Sequence, residues 1–259
     1  MIHSKAIVEP GAKISNGVSI GPFCYIGSEV KIDKDCKIHS NVVINGDVKI
    51  GEETEIFPFS SIGSIPQDLK YKGEKTNIII GKKCKIREYV TINTGTSGGG
   101  GITKIGDNCL LMVGTHIAHD CLIGNNVIFA NHSTLAGHVT INDYVVVGAL
   151  SAIHQFTRIG EGAMIGGMSG VTADVIPFGT VVGNRAKLSG LNIIGLKRSN
   201  YEKVEISELR KVYNYIFLEK KMTFKSRLEE MIIKKHNYPT IKKLIKFLSQ
   251  ESDRSFCLP

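Results

Sequence analysis

Residues 20–50 read IGPFCYIGSEVKIDKDCKIHSNVVINGDVKI, with isoleucine at every sixth position. The same position holds isoleucine or valine eleven times in succession from Ile2 to Ile62, and a second series runs from Ile105 to Val171. Neither a helix with 3.6 residues per turn nor an alternating strand produces a period of six. A short repeat of fixed period is typical of stacked coils, each of which contacts only its neighbours. The chain is therefore predicted to be mainly β, with a repetitive architecture.

A second restricted position lies four residues after each aliphatic one and carries a small side chain, as at Cys24, Cys36, Thr54 and Ser60. Both positions are expected to point into a narrow core. With three hexads in each coil, the chain resembles the hexapeptide-repeat proteins, whose fold is a left-handed parallel β-helix. The left-handed sense is implied by the resemblance alone, because ordinary parallel crossovers are right-handed. Residues 1–190 are predicted to form this β-helix, interrupted by loops near 64–78 and 94–104.

Residues 191–259 have a different pattern, with apolar side chains at three- and four-residue spacing that predicts a C-terminal α-helical domain. This segment carries 15 Lys and Arg against 8 Asp and Glu, whereas the rest of the chain carries 17 against 16. Such a surface suits an acidic protein, nucleic acid or an anionic lipid surface, or is simply a solvated lysine-rich face. No aromatic and basic residues alternate in the way that marks a nucleic-acid surface, so nucleic acid is not an expected partner.

The cysteines and the apolar segments predict the cellular compartment of the protein. Five of the six cysteines fall on the small inward position, so they are expected to be core thiols, which suits a reducing cytosol. No signal peptide precedes the first hexad, and no apolar run approaches the length needed to span a membrane. A cytoplasmic protein without stable membrane insertion is therefore expected.

Four of the eight histidines cluster when the repeat is imposed: His116, His119, His138 and His154. They follow or flank aliphatic residues eighteen apart, so they are expected to lie along one edge of successive coils, within roughly 5–10 Å. Three imidazoles could hold a zinc ion with an open position, as in hexapeptide-repeat carbonic anhydrases. One imidazole could instead be a general base on an alcohol that attacks a thioester. The adjacent Asp120 favours the second chemistry, because a carboxylate can orient the ring.

Five segments in order make the resemblance specific. They are Gln67-Asp-Leu-Lys-Tyr, His116-Ile-Ala-His-Asp-Cys, Leu135-Ala-Gly-His-Val, Ala152-Ile-His-Gln-Phe and Asn192-Ile-Ile-Gly-Leu-Lys-Arg. Together they resemble the UDP-N-acetylglucosamine 3-O-acyltransferase family, over the whole chain. Members move an (R)-3-hydroxyacyl chain from acyl carrier protein to the sugar's 3-hydroxyl, the first step of lipid A biosynthesis, as homotrimers with active sites between subunits. No cofactor or metal is implied.

The resemblance implies roles for individual residues. The general base is His119, supported by Asp120, and the oxyanion donor is the backbone amide of Gly137. The sugar and diphosphate would be lined by His116, His138, His154 and Gln155. The first loop would reach the substrate through Gln67, Asp68 and Lys70, with Asp68 able to bind the acyl 3-hydroxyl. The nucleotide would be held by Asn192 and Arg198, because a guanidinium group suits phosphate.

One position bears on acyl length and three depart from the family pattern. Gly167 matches the position that ends the acyl groove, and glycine implies a long chain. Asn93 stands where members carry histidine, Ile194 replaces a glutamate and Ser199 replaces a second arginine. These changes put the nucleotide contacts in question. The acyl length and the acceptor group, 3-hydroxyl or 3-amino, stay open.

Three alternative functions are open at this level. The related UDP-3-O-acylglucosamine N-acyltransferase would normally carry an additional N-terminal domain, whereas here the hexads begin at residue 2. A zinc carbonic anhydrase would require bound metal. A non-enzymatic scaffold is disfavoured by polar side chains placed in register.

Overall fold

The chain forms a triangular prism of parallel strands, followed by helices. The structure, a computed structural model, describes residues 1–259. Strands eighteen residues apart pair in register, as Ile14 does with Ile32. Three parallel sheets result, each forming one face of the prism, and the predicted coil of three hexads follows from this pairing.

The strands of the prism are two to five residues long. In chain order they are β1 (Ile7–Val8), β2 (Lys13–Ile14), β3 (Ser19–Ile20), β4 (Tyr25–Ile26), β5 (Lys31–Ile32), β6 (Lys37–Ile38), β7 (Val43–Ile44), β8 (Asp47–Ile50), β9 (Glu55–Ile56), β10 (Ser61–Ser64), β11 (Asn77–Ile80), β12 (Lys85–Ile86), β13 (Thr91–Asn93), β14 (Ile102–Ile105), β15 (Leu110–Leu111), β16 (His116–Ile117), β17 (Leu122–Ile123), β18 (Ile128–Phe129), β19 (Thr134–Leu135), β20 (Thr140–Ile141), β21 (Val146–Val147), β22 (Ala152–Ile153), β23 (Arg158–Ile159), β24 (Met164–Ile165), β25 (Gly170–Val171), β26 (Gly179–Val182) and β27 (Lys187–Leu191).

As far as β25, every third strand belongs to the same face. Face I has nine strands and runs from β1 through β4, β7 and so on to β25. Face II has eight strands, from β2 to β23, and face III has ten, from β3 to β26 with β27 added at its end. Strand β27 pairs antiparallel with β26 and so closes the stack.

The aliphatic and small inward positions fill the core as predicted. Isoleucines such as Ile44 and Ile86 are fully buried, and so are the small residues Cys36 and Thr54. All six cysteines are free and buried. Several of the small polar groups also bond to the next coil: Cys36 Sγ donates to the carbonyl of Gly51 at 3.1 Å and Cys121 Sγ to that of Ala136 at 3.2 Å. Most of the small polar groups are therefore paired, and Thr157 Oγ1 is an exception, because it has no hydrogen-bond partner.

Both loops leave the prism at the same corner, between faces I and II. The first covers residues 65–76, between β10 and β11, and the second covers residues 94–101, between β13 and β14. Although the period of six continues past the first loop, Ile80 pairs with Ile50 and not with Ile62. Ile50 and Ile80 are thirty residues apart, twelve more than in an uninterrupted coil, so the loop is an insertion of two hexads at one corner.

The C-terminal residues form α1 (Ile193–Arg198), α2 (Lys203–Tyr213), α3 (Phe224–Ile233) and α4 (Pro239–Ser249), and a π-helical turn at Asn214–Leu218 extends α2. Proline begins α4, where its fixed φ and missing N–H are tolerated. The strands end at Leu191, and the division of the chain at residue 190 stays a prediction. None of the helices combines the length and the apolar character that a membrane-spanning segment requires.

Candidate active site

The corner between faces I and II carries most of the predicted site. The pairing of His116 with Thr134, and of Thr134 with Ala152, fixes a register of eighteen residues here. This register aligns His119 with Gly137 and Gln155, and Asp120 with His138 and Phe156. His119, His138 and His154 therefore share one corner, each at a different position of the hexad, whereas His116 lies just before this corner on β16. We call residues 118–120, 136–138 and 154–156 the histidine corner.

At the centre of this corner, His119 Nδ1 lies 2.9 Å from Asp120 Oδ2. The carboxylate can only accept, so Nδ1 carries the proton and the Nε2 lone pair is free. The Asp120 side chain is fully buried and that of His119 is 13% exposed. Asp120 has a left-handed backbone (φ 58°), as do His138 and Phe156 at the equivalent positions of the next two coils. The pair has the arrangement of a general base with its orienting group.

Two further imidazoles surround this pair. The His138 ring meets His119 edge to face at 5.0 Å between centroids and stacks on Phe156 at 4.5 Å. Burial lowers the pKa of His138, and His119 lowers it further, while Asp120 and Asp68 oppose the shift. On β16, His116 Nδ1 lies 2.7 Å from the hydroxyl of Thr91, and burial followed by repulsion from His119 lowers its pKa.

Gly137 lies directly against the His119 ring. A Cβ atom at this position would lie 2.4 Å from His119 Cε1, so only glycine leaves room for the ring. The Gly137 N–H donates to no atom of the chain, although its carbonyl accepts from Phe156 N. The N–H groups of His119 and Gln155, at the equivalent positions, are also free, but Gly137 has no side chain to cover its own.

The first loop brings charge to the histidine corner. Asp68 is close enough to His138 to raise its pKa, although burial dominates the net shift. Asp68 Oδ1 also accepts from Lys70 N at 2.9 Å, which fixes the local turn. The side chains of Gln67 and Lys70 are exposed. Of the three predicted residues on this loop, the structure thus ties Asp68 to the imidazoles.

The second loop folds over Asp120 at its start, while its tip, at Ser97, Gly98 and Gly100, is exposed. Thr96 donates to the Asp120 carboxylate through both its backbone N–H and its hydroxyl, the latter at 2.6 Å. A Cβ at Gly99 would lie 2.1 Å from Asp120 Cγ, and one at Gly95 would lie 2.8 Å from Oδ1. The glycines therefore let the loop backbone approach the carboxylate. Sequence reasoning missed Thr96, whose only signal was its place before the glycine run.

His154 and Gln155 lie on the exposed end of the histidine corner. Here the C-terminal segment contributes Arg254, which sequence reasoning missed. Its guanidinium donates to His154 Nδ1 at 2.8 Å and to the carbonyl of Gln155 at 3.0 Å. The segment is held because Ser252 donates to Asp174, and because a backbone bridge joins Asp174 to Phe256. No local pattern predicts a contact across one hundred residues.

Asn192 and Arg198 lie away from the histidine corner. They line a cavity of about 980 Å³ between face III and α1, which extends to Lys243 on α4. Asn192 is also committed to structure, because its Oδ1 caps α1 by accepting from Gly195 N and its Nδ2 donates to the carbonyl of Gly162. Gly167 lies at yet another corner, between faces III and I. One chain alone thus leaves these three residues apart from the imidazoles.

The three departures from the family pattern have distinct environments. Asn93 is buried and donates to the carbonyls of Ser64 and Ile65, at 3.3 and 2.9 Å, so it anchors the start of the first loop. Ile194 and Ser199 line the same cavity as Arg198. The nucleotide departures therefore cluster in one place.

The metal hypothesis needs three imidazoles that converge. The group that could hold an ion consists of His119, His138 and Asp120, whose ligand atoms lie within 4.8 Å of one another. His116 and His154 do not join it. Asp120 would also have to give up its hydrogen bonds from Thr96, so this donor set fits a proton-transfer pair better than a zinc centre.

Comparisons with known proteins identify the family to which the chain belongs. Residues 102–137 match the family model of bacterial transferase hexapeptides, and residues 174–257 match domain 2 of UDP N-acetylglucosamine O-acyltransferase. The acyl-[acyl-carrier-protein]–UDP-N-acetylglucosamine O-acyltransferase of Bartonella henselae is 43% identical over 258 residues, covering 100% of this chain and 94% of its own length. The enzyme of the same name from Paracoccus denitrificans is 48% identical over 204 residues, 79% of this chain and 77% of its own.

A crystal structure of a UDP-N-acetylglucosamine acyltransferase superimposes with a TM-score of 0.96 at 44% identity, covering 100% of this chain and 98% of that one. Fold and matches together define a hexapeptide-repeat acyltransferase. They confirm the predicted fold class, a left-handed parallel β-helix with C-terminal helices. Within that class, the chain belongs to the acyl-[acyl-carrier-protein]–UDP-N-acetylglucosamine O-acyltransferase family.

Proposed function

We propose that the protein transfers an (R)-3-hydroxyacyl chain from acyl carrier protein to the 3-hydroxyl of UDP-N-acetylglucosamine, the first step of lipid A biosynthesis, with His119 as general base. One observation carries the catalytic part of the proposal. His119 is oriented by a fully buried carboxylate and lies beside a glycine with a free N–H. Acyl transfer needs this combination of a base and a fixed donor for the oxyanion.

The reaction follows from the two ends of the His119 ring. Nδ1–H donates to Asp120, so Nε2 accepts the proton of the sugar hydroxyl as its oxygen attacks the thioester carbonyl carbon. The carbonyl oxygen becomes an oxyanion, which the Gly137 N–H stabilises. Asp120 stabilises the imidazolium that forms. Collapse of the intermediate then breaks the C–S bond, and the carrier thiolate leaves with the proton from His119.

The other groups of the corner would bind and orient the substrates. Burial favours the neutral forms of His116 and His138, which suits them to hydrogen-bond sugar hydroxyls. Asp68 would accept from the acyl 3-hydroxyl, and Gln67 and Lys70, on the same loop, would also reach the substrate. At the outer end, Arg254 adds a cation beside His154 and Gln155, where the diphosphate would pass.

A homotrimer would complete the site. Asn192 and Arg198 line a cavity on face III, and Gly167 lies at a different corner from the histidines, so a neighbouring subunit is needed to bring them together. The corner between faces III and I also exposes large apolar side chains in register, which suits burial against another copy. They are Phe23, Phe59, Tyr89, Leu150 and Met168, each more than half exposed.

Mixing two inactive variants tests the shared site. His119→Ala and Arg198→Ala should each lose activity, and co-refolded mixtures should regain roughly a quarter of the sites, the share expected from random placement around a closed ring. A mixture of His119→Ala with Asp120→Asn is the control, because both residues lie in one corner of one chain. Recovery in the control alone, or in neither mixture, would reject the intersubunit site.

The helical domain is the proposed docking surface for acyl carrier protein, an acidic partner. Most of the excess positive charge of the chain lies after residue 190. Nine of these basic residues are exposed and form no ion pair. We call three of them the basic trio: Arg210 on α2 and Lys242 and Lys246 on α4. Opposite fields speed encounter between such partners.

The decisive experiment combines the reaction, the donor and the chain length. The protein is incubated with UDP-N-acetylglucosamine and acyl carrier proteins of graded 3-hydroxyacyl length, and the products are identified by mass. We expect an O-acylated sugar nucleotide with a preference for long chains, because Gly167 leaves the groove open, and no product with His119→Ala. Turnover of His119→Ala within a few-fold of wild type would remove His119 from the base role. A product only with the 3-amino sugar would reassign the acceptor.

A further inference from the structure

We propose that Thr96 is a positioning residue that holds the Asp120 carboxylate, and through it His119, in the reactive geometry, and that Glu74 keeps Thr96 in place. This inference rests on the function proposed above. In this arrangement, hydrogen bonds connect the first loop to the second loop, and the second loop to Asp120 and His119.

Thr96 donates hydrogen bonds directly to the Asp120 carboxylate. Asp120 is fully buried, so its oxygens depend on groups of the protein. Thr96 N lies 2.9 Å from Oδ1 and 3.1 Å from Oδ2, and the Thr96 hydroxyl lies 2.6 Å from Oδ2. Oδ2 is the atom that also accepts from His119 Nδ1. The angle at which Asp120 meets the imidazole is therefore set jointly by His119 and Thr96.

The backbone of Asp120 is also fixed by a hydrogen bond, this time to Thr103. Its backbone N–H donates to the hydroxyl of Thr103 at 2.9 Å, and Thr103 is itself fully buried on β14. Thr96 and Thr103 lie before and after the tip of the second loop. Asp120 is thus bonded to residues on both sides of the loop tip, to Thr96 through its carboxylate and to Thr103 through its backbone N–H, so a shift of the loop would move the carboxylate.

Glu74 fixes the second loop from outside. Its Oε1 accepts from Ser97 N at 3.0 Å and from the Ser97 hydroxyl at 3.2 Å, one residue beyond Thr96. Its Oε2 accepts from Lys72 N at 2.8 Å. The N–H groups of Ser97 and Lys72 hold the pKa of Glu74 at about 2, so it stays charged at neutral pH.

Two more contacts hold the loops together beside this one. The hydroxyls of Thr76 and Thr94 lie 2.9 Å apart, and Asn77 N donates to the carbonyl of Gly101 at 2.9 Å. The first loop also carries Asp68, whose charge acts on His138. Movement of the first loop when substrate binds would therefore reach the base through Glu74, Thr96 and Asp120.

Thr96→Val tests the positioning role, because it removes the hydroxyl and keeps the shape. We expect kcat to fall about ten-fold or more, since a small misplacement of a catalytic group is costly, with KM for UDP-N-acetylglucosamine unchanged. Thr96→Ser should restore most of kcat. Thr54→Val is the matched control: it removes a buried hydroxyl that donates to Gly81 O far from the site, and it should lower stability without lowering kcat.

Two neighbouring glycines give a test that does not touch Thr96. A Cβ at Gly98 meets nothing within 4 Å, whereas one at Gly99 collides with the Asp120 carboxylate. Gly99→Ala should therefore lower kcat as Thr96→Val does, and Gly98→Ala should not. On the surface, Glu74→Gln should lower kcat by a smaller factor while the fold is kept.

The outcomes separate this inference from the proposed function. If the wild-type protein is active and both Thr96→Val and Gly99→Ala keep kcat within two-fold of the wild-type value, this inference is rejected and the proposed function is not. A parallel loss of kcat in Thr96→Ser, or in the control Thr54→Val, would assign Thr96 a merely structural role. Absence of any acylated product with the wild-type protein rejects the proposed function and this inference with it.

Discussion

Gly137→Ala gives the sharpest test of the reactive geometry. The three atoms nearest to the added methyl group all belong to the His119 ring, at 2.4, 2.6 and 3.0 Å, whereas ordinary contacts begin at about 3.4 Å. The ring must therefore move by roughly 1 Å, a displacement that can cost about a hundred-fold in rate. Initial rates with saturating acyl carrier protein thioester, read as acylated sugar nucleotide by mass, would measure this loss.

The same variant should remain folded. The atoms displaced belong to a side chain and not to the backbone, so the ring can turn away at a cost of about 0.5–1.5 kcal/mol for leaving its rotamer. In a chain of this size that corresponds to a fall in Tm of only a few degrees. Gly98→Ala, whose Cβ meets open space, is the control. Turnover of Gly137→Ala within two-fold of the control, at an unchanged Tm, would refute the placement of His119 against Gly137.

Three more predictions concern pH, docking and chain length. Burial lowers the pKa of His116 from 6.5, so protonation favours the unfolded chain; Tm should fall as pH drops below 6.5, and less so in His116→Gln. Reversing the charges of the basic trio to Glu should raise KM for acyl carrier protein roughly ten-fold at low salt, unlike reversal of the exposed and distant Lys13, and an unchanged KM would reject docking there. Gly167→Met should shift the preferred donor to shorter chains without loss of stability, because its Cβ has no contact closer than 3.4 Å; an unaltered product spectrum would remove Gly167 from the groove.

The sequence was sufficient for the prism because its period acts through the core. Each inward isoleucine, such as Ile44 or Ile86, is buried by its counterparts in the adjacent coils, so one residue type at one spacing specifies the stack. The same period placed His119, Gly137 and Gln155 in register. It did not show that Ile80 stacks on Ile50, because an insertion of whole hexads leaves the phase unchanged.

Contacts made by the loops and the C-terminal segment were beyond sequence reasoning. The approach of Thr96 to Asp120 depends on the fold of a short segment whose glycines have no side chain to reveal their neighbours. The contact of Arg254 with His154 joins residues one hundred apart with no shared period. Asn192 was expected at the nucleotide, whereas the structure first shows its role in capping α1. The hexad period predicts only which residues of successive coils lie next to one another, and Thr96, Arg254 and Asn192 lie outside the repeated coils.

The buried cysteines can report local unfolding of the prism through their reactivity with alkylating reagents. Cys24, Cys36, Cys84, Cys109 and Cys121 lie at increasing distances from the N-terminal end of the prism, and burial raises the pKa of Cys36 to about 11 and that of Cys121 to about 12. Such thiols react with alkylating reagents only when their level of the stack separates. Because each coil touches only its neighbours, the order in which the five sulphurs become labelled would trace how the solenoid unzips from its end.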